Sequence, residues 1–167
     1  NWDEGGPKGG EYGPYVQSER FELYKEYAMK LVEKGEAYYC FCDAERLDRI
    51  RLLQTKNKMP PGYDRNCRHL TPEEVQANLD AGKPYVIRLK VPLEGVTKFN
   101  DALLGDIEWK NEDISPDPVL LKSDGFPTYH LANIIDDHFM KITHVMRAQE
   151  WIPSTPLHVQ MYRAFGW

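Results

Sequence analysis

The sequence predicts an α/β fold, in which amphipathic helices alternate with short strands rich in branched and aromatic residues. Apolar residues recur at helical spacing over residues 18–34, whereas residues 85–91 alternate between apolar and polar side chains. In the last third, a helix over residues 129–135, a β-branched strand over residues 142–147 and a final helix from residue 155 follow one another. This order is typical of one half of a parallel α/β unit.

Helix boundaries are marked by residues that satisfy or stop a helical backbone. Ser18 is placed to cap the helix of residues 18–34, and Gly35 stands where a left-handed residue ends a helix. Thr71 is placed to cap a later helix, and Glu74 completes the pattern of a capping box. We therefore expect these helices to begin and end near these residues.

Shorter patterns predict the remaining elements. The strand over residues 85–91 should have one wet face, formed by Val86, Arg88 and Lys90, opposite an apolar face. We further expect a loop over residues 1–14, a strand over 37–42, a helix over 43–57, strands within 95–109, a strand over 119–122, and a last helix capped by Ser154 or Thr155 and stopped by Gly166.

Composition limits the class of protein. The chain has 167 residues, of which 41% are hydrophobic and 12% aromatic, so it is long and apolar enough to bury a core. Its net charge of −5 argues against a strongly basic nucleic-acid-binding surface, although a local basic patch is compatible with it. No segment reads as a membrane span or a secretory leader, so we expect a cytoplasmic protein without a membrane partner.

All three cysteines fall in one constellation with a histidine. Cys40 and Cys42 are separated by one residue, and Cys67 is separated by one residue from His69. Three thiols and an imidazole suit tetrahedral zinc, and Tyr63 offers an oxygen as an alternative fourth ligand. Three buried thiols near one histidine are the simpler interpretation, but the clustering favours a metal. An odd number of cysteines also fits a reducing compartment better than disulfides.

Two further groups of residues have the chemistry of a binding site. Tyr129 and Asn133 lie four residues apart on one helix face, where a phenol and an amide can orient a small polar substrate. Arg147 ends a predicted parallel strand, at the edge where open α/β sheets bind ligands, and offers a planar fork for a carboxylate or phosphate. Glu150 and Trp151 follow it with an acceptor and a ring. Core packing and a surface ion pair are the competing interpretations.

The triplet Asp136-Asp137-His138 has the composition of a metal site, but neighbouring side chains on a helix point in different directions. Networks of ion pairs produce similar clusters of titratable groups. We therefore expect one of these residues to pair with a cation or to cap a helix.

Several long motifs resemble those of bacterial-type glutamyl-tRNA synthetases, which are class I aminoacyl-tRNA synthetases. The resemblance extends in order and spacing along essentially the whole chain. The motifs that carry it are residues 15–20 (YVQSER), the Cys40/Cys42/Cys67/His69 set, 85–88 (YVIR), 123–133 (SDGFPTYHLAN), 136–138 (DDH) and 147–156 (RAQEWIPSTP).

The resemblance implies a Rossmann-type catalytic domain that is interrupted by an α+β connective insertion for the tRNA acceptor end. It assigns residues 1–36 and 120–167 to the catalytic domain and residues 37–119 to the insertion, with the cysteines at its root. The implied reaction activates glutamate with ATP and Mg²⁺ and transfers it to the 3′ end of tRNA(Glu). The implied parent enzyme is monomeric.

The resemblance also assigns roles to residues by position. Tyr129, Asn133 and Arg147 match residues that bind glutamate, with Arg147 pairing with a substrate carboxylate. Glu150 and Trp151 match residues on the ATP side, and Trp151 is also expected near the tRNA 3′ end. We expect the first three side chains to line one pocket that opens toward the other two.

The same comparison implies a structural zinc ion. In zinc-bearing members of the family, the ligands match Cys40, Cys42 and Cys67, with either Tyr63 or His69 as the fourth. Both candidates for the fourth position stand in this sequence, so the fourth ligand stays open at this point.

Two phosphate-handling elements of the family do not occur in this sequence. The His-x-Gly-His element is expected before residue 1, and the Lys-Met-Ser-Lys-Ser-type loop is expected after Trp167. We therefore expect the chain to be a piece of a longer enzyme, with no catalytic residue of its own, that activates glutamate poorly or not at all.

Two other functions fit the same residues. One is the shortened paralogue, glutamyl-Q tRNA(Asp) synthetase, which glutamylates a modified base in a tRNA. The other is a zinc-stabilised tRNA-binding module without catalysis, whose basic side chains on the Arg88/Lys90 face and in residues 46–58 would contact phosphates.

Overall fold

A computed structural model describes residues 3–167 and has the predicted mixed α/β architecture. Asn1 and Trp2, the start of the predicted loop, lie outside the described residues. The helices are α1 (Phe21–Glu33), α2 (Ala44–Lys56), α3 (Pro72–Asp80), α4 (Tyr129–Phe139) and α5 (Thr155–Phe165). The strands are β1 (Ala37–Cys40), β2 (Val86–Leu89), β3 (Val96–Asp101), β4 (Gly105–Lys110) and β5 (Val119–Leu121). Short 3₁₀ turns occupy Gly6–Lys8, Gln17–Arg20, Asn111–Asp113 and Gln149–Ser154.

Strand β2 lies at the centre of a three-stranded sheet of order β1-β2-β5. In its pairing with β1, Ala37 lies opposite Leu89 and Cys40 opposite Val86. Its pairing with β5 is also antiparallel, and β3 and β4 form a separate antiparallel hairpin. Within residues 3–167 the paired strands are thus antiparallel, and the parallel pairing expected from the last third does not occur.

The predicted strand over residues 142–147 is wrong. The segment has no regular structure, and Ile142, Val145 and Met146 are 49%, 56% and 95% exposed. A strand has to pair its backbone N–H and C=O groups with a neighbour, and the described part of the chain supplies no partner strand beside this segment. Branched side chains alone do not make a strand.

Helices α1, α4 and α5 pack with the three-stranded sheet around one core. Leu31, Ile87, Leu131 and Met161 are fully buried there, and burial of each such side chain contributes about 2 kcal/mol. The residues of this core come from all three predicted segments, 1–36, 37–119 and 120–167. None of the helices described between residues 3 and 167 has the length and apolarity needed to cross a bilayer.

The helix starts differ in how well the sequence predicts them. The capping box is confirmed, since Thr71 Oγ1 accepts from the N–H of Glu74 at 3.2 Å and Glu74 Oε2 accepts from the N–H of Thr71 at 2.8 Å. The expected cap at Ser18 is wrong, because Ser18 lies inside the 3₁₀ turn that precedes α1. Gly35 adopts φ +76°, the left-handed conformation expected after this helix.

A buried ion pair, and not a capping side chain, lies at the start of α1. Arg20 is only 6% exposed, and its Nε donates to Asp136 on α4 at 2.7 Å. Tyr24 donates its hydroxyl hydrogen to the same carboxylate at 2.8 Å. The expectation that a residue of the 136–138 triplet pairs with a cation is therefore confirmed.

The predicted wet face of the strand over residues 85–91 is wrong at Arg88. This side chain is 7% exposed, and its Nη1 donates to the backbone oxygen of Asp117 at 2.9 Å. Its guanidinium carbon lies 3.7 Å from the ring centroid of Tyr63. The alternation of polar and apolar residues misleads here because an arginine can be buried when acceptors and a ring surround it.

Asp117 is fully buried and collects donors from several parts of the chain. Its carboxylate accepts from the Tyr38 hydroxyl at 2.8 Å, from Arg68 Nη1 at 2.8 Å and from the N–H of Val91 at 3.1 Å. Burial and the neighbouring Asp117 raise the pKa of Tyr38, so its hydroxyl stays protonated and can donate. The carboxylate thus links β1, the end of β2 and the turn that contains Cys67.

We expect the substitution Asp117→Asn to destabilise the chain by about 3–5 kcal/mol, because it removes the fully buried anion from Arg68, whose side chain is 10% exposed, while keeping the size of the side chain. Urea unfolding followed by circular dichroism measures the change. Asp113→Asn, at an exposed position, is the control and should change stability by less than about 0.5 kcal/mol. Equal, small effects of the two substitutions would contradict the role given to Asp117.

Candidate functional site

The three cysteines converge at the end of β1. Cys40 closes that strand, Cys42 follows it, and Cys67 lies in a later turn. Their three sulfur atoms all lie within 4.8 Å of one another, and the Sγ atoms of Cys42 and Cys67 are 3.6 Å apart. Tetrahedral zinc with bonds of about 2.3 Å holds its sulfur ligands about 3.8 Å from one another. The spacing therefore fits three ligands of one tetrahedral ion.

Tyr63 and His69 occupy very different places relative to these thiols. The Tyr63 hydroxyl lies 3.2 Å from Cys40 Sγ and 3.7 Å from Cys42 Sγ. An oxygen and a sulfur bound to one tetrahedral zinc ion are about 3.5 Å apart. His69 is exposed and lies outside the group of sulfur atoms. The structure thus brings the Tyr63 oxygen, and not His69, beside the sulfur atoms.

The three thiols differ in how readily they ionise, because hydrogen bonding with Cys67 and burial raise the pKa of Cys40 and burial raises the pKa of Cys42. Hydrogen bonding from the Cys40 thiol lowers the pKa of Cys67, so the sulfur of Cys67 is the one that most readily becomes a thiolate. Arg88 is buried beside Tyr63, its Nε has no hydrogen-bond partner, and no carboxylate lies within salt-bridge distance of it among the described residues. A buried cation of this kind suits thiolate ligands, so the surroundings fit a bound metal ion.

The residues matched to glutamate and ATP binding lie around the start of α4. Tyr129 is the first residue of α4, and Asn133 follows one helical turn later. The ring centroid of Trp151 is 5.6 Å from that of Tyr129. Glu150 is exposed in the same 3₁₀ turn as Trp151. The rings of Tyr129 and Trp151 therefore lie together at this end of the helix.

Arg147 is held by side chains of α5. Its Nη2 donates to Thr155 Oγ1 at 3.0 Å, and its Nη1 lies 3.4 Å from His158 Nδ1. The residue lines a cavity of about 690 Å³ between residues 143–148 and the tip of the β3–β4 hairpin. Tyr129 and Asn133 do not line that cavity. The expected single pocket is therefore replaced by two neighbouring regions.

His158 lies between these two regions. Its ring centroid is 6.4 Å from that of Tyr129, and its Nε2 lies 3.0 Å from Nδ1 of His130. Burial lowers the pKa of His158 to about 3, and the positive charge of Arg147 acts in the same direction. His158 is therefore neutral at physiological pH.

Sequence reasoning missed both histidines of this group. His130 lies next to Tyr129 in the sequence, and His158 lies within the predicted last helix, where neither has a pattern that indicates a binding role. The one available signal was spacing, because Thr155 and His158 are three residues apart and so share a face of α5. That spacing becomes informative only when Arg147 is known to approach this face.

The whole chain, residues 1–167, matches the family model described as tRNA synthetases class I (E and Q), catalytic domain. Among curated relatives, the glutamate–tRNA ligase of Treponema denticola is 77% identical over 166 residues, which is 99% of this chain and 33% of the relative. The glutamate–tRNA ligase of Borrelia duttonii is 62% identical over 167 residues, or 100% of this chain and 33% of the relative. The chain thus spans about a third of the length of the curated relatives it matches.

The fold also matches a solved structure. The crystal structure of glutamate-tRNA synthetase from Elizabethkingia anophelis superposes with a TM-score of 0.88 at 43% sequence identity. The match covers 96% of this chain and 34% of that one. The arrangement of helices and strands described above is therefore shared with this structure.

We expect acid to destabilise the chain in part through His158. Its pKa is depressed in the folded state, so its contribution to stability is complete above pH 6.5 and is lost as the pH falls toward 3. At pH 5 the loss from this one group amounts to about 2 kcal/mol. Urea unfolding at pH 7 and pH 5 measures it, with His158→Asn as the non-titrating control. A pH difference of the same size in both proteins would contradict the assignment.

Proposed function

The chain belongs to the catalytic-domain family of class I tRNA synthetases for glutamate and glutamine, and we propose that it is part of a glutamate–tRNA ligase. The identity of 77% to the Treponema denticola ligase over 99% of the chain is the observation that carries the proposal. The intact protein would activate glutamate with ATP and Mg²⁺ and transfer it to the 3′ end of tRNA. The names of the matched relatives favour this ligase over the shortened paralogue.

Arg147 is the residue we assign to a carboxylate of glutamate. Its charge supports this role, because Thr155 and His158 are neutral acceptors and leave the positive charge available to an anion. Tyr129 and Asn133 would fix the rest of the amino acid from α4. All of these groups act by binding and orientation, which is what adenylate formation requires of residues outside the phosphate-handling elements.

ATP would lie near Tyr129, beside residues 150 and 151. The Trp151 ring, at 5.6 Å from the Tyr129 ring, offers a face for stacking with a base, and Glu150 offers an acceptor that is open to solvent. The region of residues 150–151 would therefore bring ATP beside glutamate.

The segments keep the roles proposed from sequence. Residues 1–36 and 120–167 would belong to the catalytic domain, and residues 37–119 would form the insertion that contacts the tRNA acceptor end. The β3–β4 hairpin supports this division, since its tip closes one side of the cavity that Arg147 lines. A nucleotide approaching from the hairpin would reach the same cavity as Arg147.

A zinc ion would be held by Cys40, Cys42, Cys67 and Tyr63. When bound, it supplies structural closure of the loop between residues 40 and 67, and no chemistry of the acyl transfer passes through it. The sulfur spacing and the buried cationic Arg88 support this site. The binding of tRNA without catalysis has less support, because Arg88 is buried and Arg46 and Arg51 pair with carboxylates.

We expect the intact protein to catalyse glutamate-dependent exchange between ATP and pyrophosphate. Arg147→Gln should lower kcat/KM for glutamate by about 10- to 100-fold, because a charged hydrogen bond to the substrate is lost. The matched control is Arg49→Gln on α2, where the arginine is exposed and distant from Arg147 in sequence. Exchange that prefers another amino acid, or no loss in the Arg147 variant, would refute this proposal.

We expect about one zinc ion per chain in protein purified without chelators. Tyr63→Phe should weaken zinc binding by about 10- to 100-fold in competition with a chromogenic chelator, since it removes one ligand atom but keeps the ring under Arg88. His69→Gln is the matched control and should leave the affinity unchanged. The opposite ranking would make His69 the ligand, and freely titratable thiols without zinc would leave only a cluster of buried cysteines.

A further inference from the structure

The side chain of Arg147 is held from α5. Residues 142–148 have no regular structure, and within residues 3–167 their backbone is hydrogen-bonded only at the two ends, where the N–H of Ile142 donates to the oxygen of Asp137 at 2.9 Å and the oxygen of Ala148 accepts from the N–H of Trp151 at 3.0 Å. The two side-chain contacts, to Thr155 Oγ1 and to His158 Nδ1, both come from the first turn of α5. These two acceptors therefore determine where the guanidinium lies and which way its fork faces.

The chemistry of the groups determines the tautomers. A guanidinium can only donate, so His158 Nδ1 has to be the acceptor and its proton has to lie on Nε2. That proton is then donated to Nδ1 of His130 at 3.0 Å, which leaves His130 protonated on Nε2. The arrangement is a directed chain of donors from Arg147 through His158 to His130.

The surroundings of His158 suit it to hold Arg147 and leave it no surface for contact with a substrate. It is 6% exposed, and both of its ring nitrogens are occupied within the protein. A carboxylate in its place would also accept from Arg147, but it would neutralise the guanidinium. A neutral imidazole anchors the arginine and leaves its charge for an external anion.

We propose that His158 is a positioning residue, which holds the Arg147 guanidinium through Nδ1 so that the arginine can bind a carboxylate of glutamate. His130 fixes the required tautomer of His158. The inference rests on the proposed function, because it presumes that Arg147 binds glutamate. It adds that the affinity for glutamate depends on a neutral acceptor at position 158.

The test compares three variants of the intact protein in the exchange assay with ATP and pyrophosphate. His158→Asn places a neutral oxygen near the position of Nδ1, His158→Asp places an anionic oxygen there, and His158→Leu removes the acceptor. We expect Asn to change KM for glutamate by less than about threefold, and Asp and Leu to raise it by about tenfold or more. KM for ATP should change by less than about threefold in all three variants, because Arg147 and its acceptor His158 are assigned to glutamate and not to ATP.

The Asn and Asp variants are matched in shape, so their difference isolates charge. Equal KM values for glutamate in the Asn and Asp variants, or an unchanged KM in the Leu variant, would overturn the proposal. If a variant raised KM for glutamate and KM for ATP by the same factor, His158 would have a structural role only, and the proposal would also be overturned. The variant Arg147→Gln distinguishes a failure of this proposal from a failure of the proposed function. If KM for glutamate is unchanged in that variant, Arg147 does not bind glutamate and the proposed function of this residue fails.

A second measurement does not depend on activity or on the folding of variants. Nitrogen-15 NMR of the intact wild-type protein, labelled at histidine, reports the protonation of each ring nitrogen. The proposal requires an unprotonated Nδ1 and a protonated Nε2 at His158 at pH 7. The reverse tautomer, or a doubly protonated ring, would exclude acceptance from Arg147 and overturn the proposal.

Discussion

The buried carboxylate of Asp117 is the contact on which the arrangement of the sheet and the cysteine turn depends. It receives donors from Tyr38 in β1, from the backbone of Val91 after β2, and from Arg68 directly after Cys67. A carboxylate without exposure to water is costly unless every donor is in place, so the network tolerates one arrangement of these segments. The backbone of Asp117 has a φ of +42°, which is in the left-handed region. Aspartate tolerates this conformation better than branched residues do.

This contact has a consequence for the candidate metal centre. Arg68 donates a hydrogen bond to Asp117, which is not a candidate ligand, and this contact fixes the turn that contains Cys67. Arg88 is tied to the backbone oxygen of the same residue and lies over the ring of Tyr63. The turn of Cys67 and the ring of Tyr63 are therefore supported by two arginines that meet at one aspartate. Support of this kind would orient the candidate ligands before a metal ion binds.

The sequence predicted those features whose cause is local. The capping box at Thr71, the left-handed Gly35 and the convergence of the cysteines depend on neighbours in the chain or on ligand chemistry. The burial of Arg88 and the loss of the strand at residues 142–147 depend on distant partners, which local patterns do not contain. The burial of Asp117 has the same kind of cause, because its partners are distant in sequence and the Pro-Asp-Pro pattern around it is typical of an exposed turn.

The buried and half-buried arginines Arg20, Arg68, Arg88 and Arg147 fall into two kinds, according to whether a carboxylate or a neutral group accepts from them. Arg20 and Arg68 pair with the carboxylates of Asp136 and Asp117, so their charges are compensated within the protein. Arg88 and Arg147 are held by neutral acceptors, and within residues 3–167 no carboxylate lies within salt-bridge distance of either. An uncompensated cation in a partly apolar site favours an anion from outside its own set of contacts.

The anions that these two arginines favour are different. For Arg88 the neighbouring group is the cysteine cluster beside the Tyr63 ring, in which Cys67 is the thiol that most readily becomes an anion. For Arg147 no carboxylate of the described residues lies within salt-bridge distance, although its charge lowers the pKa of Asp137 against the effect of burial, and the residue lines a cavity that an anion from solution could enter. A carboxylate-bearing substrate is an anion of this kind. The choice of neutral Thr155 and His158 as its acceptors is what keeps this charge available.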